Sequence, residues 1–160
     1  MMRKPIIAGN WKMHKTVAEA AALANDLGKL ISRTDSVEVV LCPPFTALQP
    51  LAAAAKPFGF KLGAQNVFWE NQGAFTGEIS PVMVKEIGCK YVIICHSERR
   101  QYFGETDETV NKKIKASLAQ GLTPIVCGGE SLEQREANQT ETLVESQVKG
   151  ALTGISAEQV

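Results

Sequence analysis

Five short apolar runs recur along the chain, and each is followed by a polar loop and a stretch of helical periodicity. The runs cover residues 5–8, 37–42, 60–64, 91–95 and 122–127. They are largely continuous rather than alternating, which is typical of strands buried on both faces of a parallel sheet. The pattern predicts five β-loop-α units in one α/β domain spanning residues 1–160, arranged as an open doubly wound sheet or as a (β/α) barrel.

Capping signals place the helices between these runs. Thr16 and Glu19 have the spacing of a capping box, and Ser80 followed by Pro81 has the pattern of an N-cap and a first helical residue. The helical patterns cover residues 17–31, 46–56, 81–87, 107–120 and 143–152. In both architectures ligands bind beyond the C-terminal ends of the strands, so the polar residues there are the candidates for chemistry.

Lys12 and Asn10 follow the first run. The ordinary interpretation of a loop lysine is a solvent-exposed side chain. In a half-buried position beyond the C-terminal ends of the strands, however, the Lys12 ammonium would attract a phosphate or a developing oxyanion. Asn10 would fix an oxygen beside it, or serve only as a turn residue. The G-x-G-x-x-G pattern of a dinucleotide site is not found after this run, which counts against such a site.

His96 follows the fourth run and is one of two histidines in the chain. Its position suits either a structural or a catalytic role. Ser97 and Glu98 indicate a helix start, whose positive end disfavours a cationic imidazole and leaves a neutral ring able to donate a hydrogen bond. Glu98 is expected either to pair with Arg99 in solvent or to orient Lys12.

The loop of residues 65–78 is too long for a plain connection between a strand and a helix. It contains three aromatic residues, Phe68, Trp69 and Phe75. Exposed aromatic side chains on a long loop suggest a protein interface. An Ω-loop packed on its own subunit is an equally good interpretation.

Composition excludes several classes of partner. Lysine plus arginine equals aspartate plus glutamate, 17 each, so no net charge attracts nucleic acid or anionic lipid. No apolar run approaches the roughly 18 residues of a membrane span, and the N-terminus lacks the apolar core of a signal peptide. The four cysteines form no C-x-x-C pair. We therefore expect reduced thiols in a cytosolic protein and no metal site.

Several independent segments, in order and in register, resemble the triosephosphate isomerase family from Arg3 to the end of the chain. They are AGNWKMHK (8–15), CPPFTAL (42–48), GAQN (63–66), GAFTGEIS (73–80), HSERRQYF (96–103), ETDETVNKK (105–113) and IVCGGESLEQRE (125–136). The resemblance implies the TIM (β/α)8 barrel, here incomplete with five βα units. It also implies a cytoplasmic homodimer that interconverts dihydroxyacetone phosphate and glyceraldehyde 3-phosphate, in glycolysis and gluconeogenesis, without a cofactor.

The resemblance implies roles for individual residues. Asn10 and Lys12 bind substrate, and Lys12 stabilises the phosphate and the enediolate. His96 is the neutral electrophile that moves protons between the two substrate oxygens, as is known for this family. Glu98 contacts Lys12, and Ser97 supports the site.

Two positions add detail to this resemblance. Thr76, at the tip of loop 65–78, is implied to reach the neighbouring subunit's site and to brace Lys12, which favours the interface interpretation of the loop. The residue before the histidine is usually glycine in the family and is Cys95 here. We expect a small, tightly packed side chain there with no redox role.

The family's catalytic base is a glutamate after the sixth strand, in a motif resembling Y-E-P-[VI]-W, and a phosphate-gripping lid loop follows it. Neither occurs in these 160 residues. Proton abstraction beside a carbonyl needs a base as well as an electrophile, and Glu98 is expected to be committed to Lys12.

We therefore expect a truncated chain that is inactive alone, unless a second polypeptide supplies the missing strands. The alternative is a non-catalytic βα module, such as a folding fragment or an anion-binding remnant. The first and fifth strands are expected to have open edges that promote aggregation.

Overall fold

The computed structural model describes residues 4–31 and 36–160, in which each of five strands is followed by one or two of seven α-helices. The strands are β1 (Ile6–Asn10), β2 (Glu38–Cys42), β3 (Lys61–Ala64), β4 (Cys89–Ile94) and β5 (Thr123–Val126). The helices are α1 (Val17–Leu30), α2 (Phe45–Ala55), α3 (Pro81–Glu86), α4 (Ser97–Phe103), α5 (Asp107–Ala119), α6 (Leu132–Glu136) and α7 (Thr140–Leu152). Short 3₁₀ helices cover Lys56–Phe58 and Ala157–Gln159. All five predicted strands are present, with bounds shifted by one or two residues. Arg3, where the family resemblance begins, lies outside the described residues.

The five strands form one sheet in chain order, β1-β2-β3-β4-β5, and every neighbouring pair is parallel. A doubly wound sheet reverses its strand order midway, whereas a barrel keeps the order of the chain. Of the two predicted architectures, the structure therefore has the barrel type, as an incomplete TIM barrel of five βα units.

The hydrophobic core has two layers, one on each face of the sheet. Leu41 on β2 packs outward against the helices, whereas its neighbours Val40 and Cys42 pack inward with Tyr91. This alternation follows from the two-residue period of a strand. Gly63 on β3 keeps the inner layer close, because a Cβ there would lie 2.6 Å from the Cys42 Sγ. The strands are thus held in fixed register at both faces.

The helix starts follow the predicted capping signals. The main-chain N–H of Thr16 donates to the Glu19 carboxylate at 2.8 Å, and the Ser80 hydroxyl accepts from the N–H of Met83 at 3.2 Å. The five-residue helix α6 was not predicted as a separate helix, because it is too short to show a helical period.

In the described part of the chain, β1 pairs only with β2, and β5 pairs only with β4. Both strands therefore leave one row of main-chain groups unpaired there, which agrees with the expected open edges. The Ile7 side chain on β1 is 64% exposed, and Val126 on β5 is 41% exposed.

Candidate active site at the carboxyl ends of the strands

The carboxyl ends of the strands gather the predicted polar residues at one edge of the sheet. Asn10 ends β1 opposite Cys42 of β2, and β4 and β5 end side by side at Ile94 and Val126. A cavity of about 830 Å³ lies beyond β4 and β5, with His96 in its lining. The parallel arrangement thus brings together residues that are far apart in sequence.

Lys12 is held by contacts at both ends. Its main-chain N–H donates to the Asn10 Oδ1 at 3.0 Å, and its Nζ donates to the Glu98 Oε1 at 2.6 Å. Its φ of 53° lies in the left-handed region, which costs a non-glycine residue roughly 1–2 kcal/mol. The Asn10 side chain thus acts as a turn residue, and its role in substrate binding stays a prediction.

Glu98 pairs with Lys12 and not with Arg99. The Lys12 hydrogen bond is the largest influence on the Glu98 carboxyl and lowers its pKa, so the carboxylate is ionised near neutral pH. Arg99 instead approaches Glu105, with 3.4 Å between the Arg99 Nε and the Glu105 Oε2. Of the two expected arrangements, the Glu98–Arg99 pair is wrong and the contact with Lys12 is present.

His96 is the N-cap of α4, which begins at Ser97, where the sequence indicated a helix start. Its Nδ1 accepts a hydrogen bond from the main-chain N–H of Glu98 at 3.3 Å. A nitrogen that accepts carries no proton, so this bond favours a neutral ring with its proton on Nε2. The Glu98 Oε2 lies 3.4 Å from the same Nδ1 and would favour a protonated ring. The neutral ring that the main-chain bond favours is the form used in the function proposed below.

Two other predicted residues lie at or near this edge. Ser97, the first residue of α4, is exposed and lines the cavity. Cys95 is 1% exposed, has a φ of 65°, and burial raises the pKa of its thiol. The expectation of a small, tightly packed side chain is consistent with this burial, while the roles of both residues stay predictions.

Gln65 belongs to the site, although no role was predicted for it. Its Nε2 donates to the main-chain carbonyl of Lys12 at 2.9 Å and to that of Cys42 at 2.8 Å. The signals in the sequence were its place directly after the third apolar run and its occurrence in the segment GAQN (63–66). Its partners are main-chain oxygens, which a sequence pattern does not reveal.

The loop after β5 is held by side chains of helices α6 and α7. The Glu130 carboxylate accepts from the Arg135 Nε at 2.7 Å and from the Thr140 hydroxyl at 3.3 Å, and the Arg135 bond lowers its pKa. The Gln147 carboxamide accepts from the N–H of Gly129 at 2.9 Å and donates to its carbonyl at 3.1 Å. These contacts fix the loop after β5, which lines the cavity together with His96.

The long loop packs partly on its own chain. The N–H of Phe68 donates to the carbonyl of Ile79 at 2.9 Å and closes the base of the loop. The Phe68 ring lies 4.0 Å from Trp69 and 4.5 Å from Phe75, between centroids. Thr76 and its neighbours at the tip are exposed. Both earlier interpretations thus retain support, and the reach of Thr76 into a second subunit stays a prediction.

The four cysteines are free thiols, and burial raises the pKa of Cys42 and Cys89 to about 12. Within residues 4–31 and 36–160, no group of three histidine, cysteine, aspartate or glutamate side chains is placed to hold a metal ion. Among the same residues, no helix combines the length and apolar character needed to cross a bilayer.

The family model for triosephosphate isomerase matches residues 5–160. Three curated relatives described as triosephosphate isomerase are similar to the chain. The Citrifermentans bemidjiense protein is 58% identical over 158 residues, which is 99% of this chain and 63% of the relative. The Alkaliphilus metalliredigens protein is 59% identical over 96% of this chain and 62% of its own length. The Chloroflexus aurantiacus protein is 55% identical over 99% and 64%. The chain thus spans less than two thirds of the length of these relatives.

Proposed function

The chain belongs to the triosephosphate isomerase family, and from that premise we propose that it carries the electrophilic half of an isomerase site for triose phosphates. The proposed reaction interconverts dihydroxyacetone phosphate and glyceraldehyde 3-phosphate through an enediolate, as a step of glycolysis and gluconeogenesis, with no cofactor. The observation that carries the proposal is the Lys12–Glu98 pair beside a His96 ring whose Nδ1 accepts a main-chain hydrogen bond.

His96 and Lys12 have complementary parts in this proposal. With its proton on Nε2, the His96 ring donates to a substrate oxygen and carries protons between the two oxygens of the enediolate. The Lys12 ammonium stabilises the phosphate and the negative charge that develops on the enediolate. Glu98 orients the ammonium, Asn10 binds substrate beside it, and Ser97 supports the site.

The base that removes the carbon-bound proton is proposed to come from outside these 160 residues. Glu98 is paired with Lys12, and Glu130 across the cavity is paired with Arg135. Both carboxylates are therefore stabilised in ionised form by cations and are committed to other contacts. We expect the 160-residue polypeptide alone to have no isomerase activity.

The proposed assembly is a cytoplasmic homodimer that forms through loop 65–78, with Thr76 bracing Lys12 of the second copy. Support comes from the exposed tip of the loop and from the Phe75 side chain, which is 43% exposed. Free cysteines are typical of a reducing compartment and support the location.

A complementation assay tests the proposed activity. The purified polypeptide is assayed for isomerisation alone and with a second polypeptide that carries the part of the Citrifermentans bemidjiense relative beyond the matched region. We expect activity only in the mixture, and a fall of roughly 10²–10⁴-fold when the first polypeptide carries His96→Gln, since that is the usual contribution of an acid–base group.

The matched control is Gln49→Glu on an exposed position of α2, which should leave the activity of the mixture unchanged. Turnover by the 160 residues alone would show that they contain a base. A soluble stoichiometric complex without turnover would favour the non-catalytic βα module.

A further inference from the structure

We propose that Gln65 is a positioning residue for Lys12: its carboxamide holds the Lys12 main chain in the left-handed conformation and thereby aims the ammonium at the site. The consequence for turnover rests on the function proposed above. The conformational part does not, because it concerns only contacts within the described residues.

The Gln65 carboxamide uses both of its N–H donors on main-chain carbonyls. One goes to Lys12 at 2.9 Å and the other to Cys42 at 2.8 Å. The Cys42 carbonyl also accepts from the N–H of Trp11 at 3.0 Å. A side chain that follows β3 thus ties together the residues that follow β1 and end β2.

Lys12 and Lys15 both have a positive φ in the loop after β1, and this tie acts on Lys12. Lys12 has a φ of 53°, which an L-residue rarely adopts without support from its surroundings. Its N–H is fixed by Asn10 and its carbonyl by Gln65, so both main-chain polar groups of Lys12 are held by side chains. The conformation is over-determined, as expected where a strained residue serves a function.

The direction of the Lys12 side chain depends on this main-chain conformation. If φ of Lys12 relaxed to the negative values common for lysine, its Cβ would point away from its present course. The 2.6 Å contact between the Lys12 Nζ and the Glu98 Oε1 would then be lost. Gln65 therefore acts on the ammonium through the main chain, without touching the ammonium itself.

Two substitutions separate the donors of Gln65 from its size. Gln65→Met keeps the length of the side chain and removes both donors. Gln65→Glu keeps the shape but places carboxylate oxygens against the carbonyls of Lys12 and Cys42. Two facing acceptors favour the neutral carboxyl, so the introduced group should titrate above its ordinary value of about 4.3, and its protonated form can restore one bond.

The readout is the three-bond coupling between the amide and α protons of Lys12 by nuclear magnetic resonance, which reports φ. We expect Gln65→Met to change this coupling toward that of an extended residue while the remaining spectrum stays folded. The pKa of Glu98 should rise in the same variant, because the Lys12 hydrogen bond is what chiefly lowers it. In Gln65→Glu the coupling should return toward the wild-type value as the pH falls through the titration of the introduced carboxyl.

Gln49→Met and Gln49→Glu are the matched controls, since Gln49 is exposed on α2 and should leave the Lys12 coupling unchanged at every pH. A folded Gln65→Met with wild-type coupling and an unchanged pKa of Glu98 would overturn the proposal. If Gln65→Met does not fold, the pH dependence of Gln65→Glu decides. Global unfolding of both variants would also count against it, because the role would then be general stability.

In the complementation assay, Gln65→Met should lower turnover by about 10- to 100-fold, the scale of loss expected from a small misplacement of a catalytic group. The two proposals fail separately. An inactive wild-type mixture would count against the isomerase function, whereas the Lys12 coupling tests Gln65 without any turnover.

Discussion

Lys12 and Cys95 both adopt a positive φ, 53° and 65°, although neither is glycine. Both follow a strand at the carboxyl edge of the sheet. Lys12 is itself proposed to contact substrate, and Cys95 directly precedes His96, which is also proposed to do so. Such strain persists only where surrounding contacts impose it, and it concentrates at functional sites. For Lys12 those contacts are the Asn10 and Gln65 bonds. For Cys95 they are the burial of its side chain and the cap that His96 makes on α4.

Comparison of Cys95→Gly with Cys95→Ala isolates the cost of this strain. Both variants remove the thiol, but only alanine keeps a Cβ that is unfavourable at a φ of 65°. We expect the glycine variant to be more stable than the alanine variant by about 1 kcal/mol in urea unfolding. At Ala52 inside α2, replacement by glycine should destabilise by about 1 kcal/mol, the usual sign in a helix. If alanine were the more stable residue at position 95, the backbone would not be strained there.

Among the elements, the strands were predictable from continuous apolar runs and the long helices from helical periodicity and capping residues. Runs of apolar residues marked all five strands, and the capping residues Thr16 and Ser80 marked two helix starts. The helix α6 escaped prediction because five residues hold barely more than one turn. Its capping residue Ser131, whose hydroxyl accepts from the N–H of Gln134 at 3.2 Å, was the one local signal.

The candidate site was predictable only in part. The sequence placed Lys12, His96 and Glu98 at strand ends, and it left two partners open for Glu98. The choice between them depended on how α4 is oriented relative to β1, which is tertiary information. The two hydrogen bonds that Gln65 donates to main-chain carbonyls were not predictable, because main-chain carbonyls have no signature in sequence.

Helix α5 is anchored to its surroundings by a buried polar cluster. Lys113 is 5% exposed and forms an ion pair with Glu105, which is 7% exposed. The Lys113 ammonium also donates to the Asn66 Oδ1 at 2.8 Å, at the start of the long loop. Burial is the main influence on Lys113 and lowers its pKa, while Glu105 opposes that shift. The cluster thus links α5 to the segment before it and to the base of the loop.

The effects of removing the two partners of this pair should be far from additive. Lys113→Met leaves the buried Glu105 carboxylate with only the 3.4 Å contact to the Arg99 Nε, and should cost about 3 kcal/mol in urea unfolding. The combination with Glu105→Leu should cost clearly less than the sum of the two single substitutions, since the unpaired charge is gone. As a control, the exposed pair Lys149 and Glu145 should contribute about 0.3–0.5 kcal/mol. Additive effects at positions 105 and 113 would contradict the coupling.

In the whole molecule, the two ends of the strands carry residues of different kinds. The carboxyl edge carries the strained residues Lys12 and Cys95 and the proposed site. At the opposite edge, Lys90 on β4 donates to the Glu38 carboxylate on β2 at 2.7 Å and bridges the intervening strand. This division is typical of TIM barrels, in which one edge supports the reaction and the other supports stability.

Association of the molecule can run through the tip of loop 65–78 or through a free edge of the sheet, of which the β1 edge has the more exposed apolar side chain. Long exposed edges invite pairing with another chain, and Ile7 leaves an apolar side chain at that edge. The proposed homodimer uses the loop instead, so the two surfaces must be separated by experiment.

Sedimentation of the 160-residue polypeptide over a range of concentrations makes this separation. Thr76→Arg places a long cation at the exposed tip of the loop, where it would have to enter the second copy. The dissociation constant of the dimer should therefore rise at least about tenfold, or roughly 1.4 kcal/mol. Gln49→Arg adds the same charge at an exposed position of α2 and should leave the equilibrium unchanged. Ile7→Lys should reduce only the formation of larger aggregates, because a charge on an edge strand opposes strand pairing. If Ile7→Lys dissociates the dimer and Thr76→Arg does not, the chains associate through the edge of the sheet, and the proposed role of the loop is wrong.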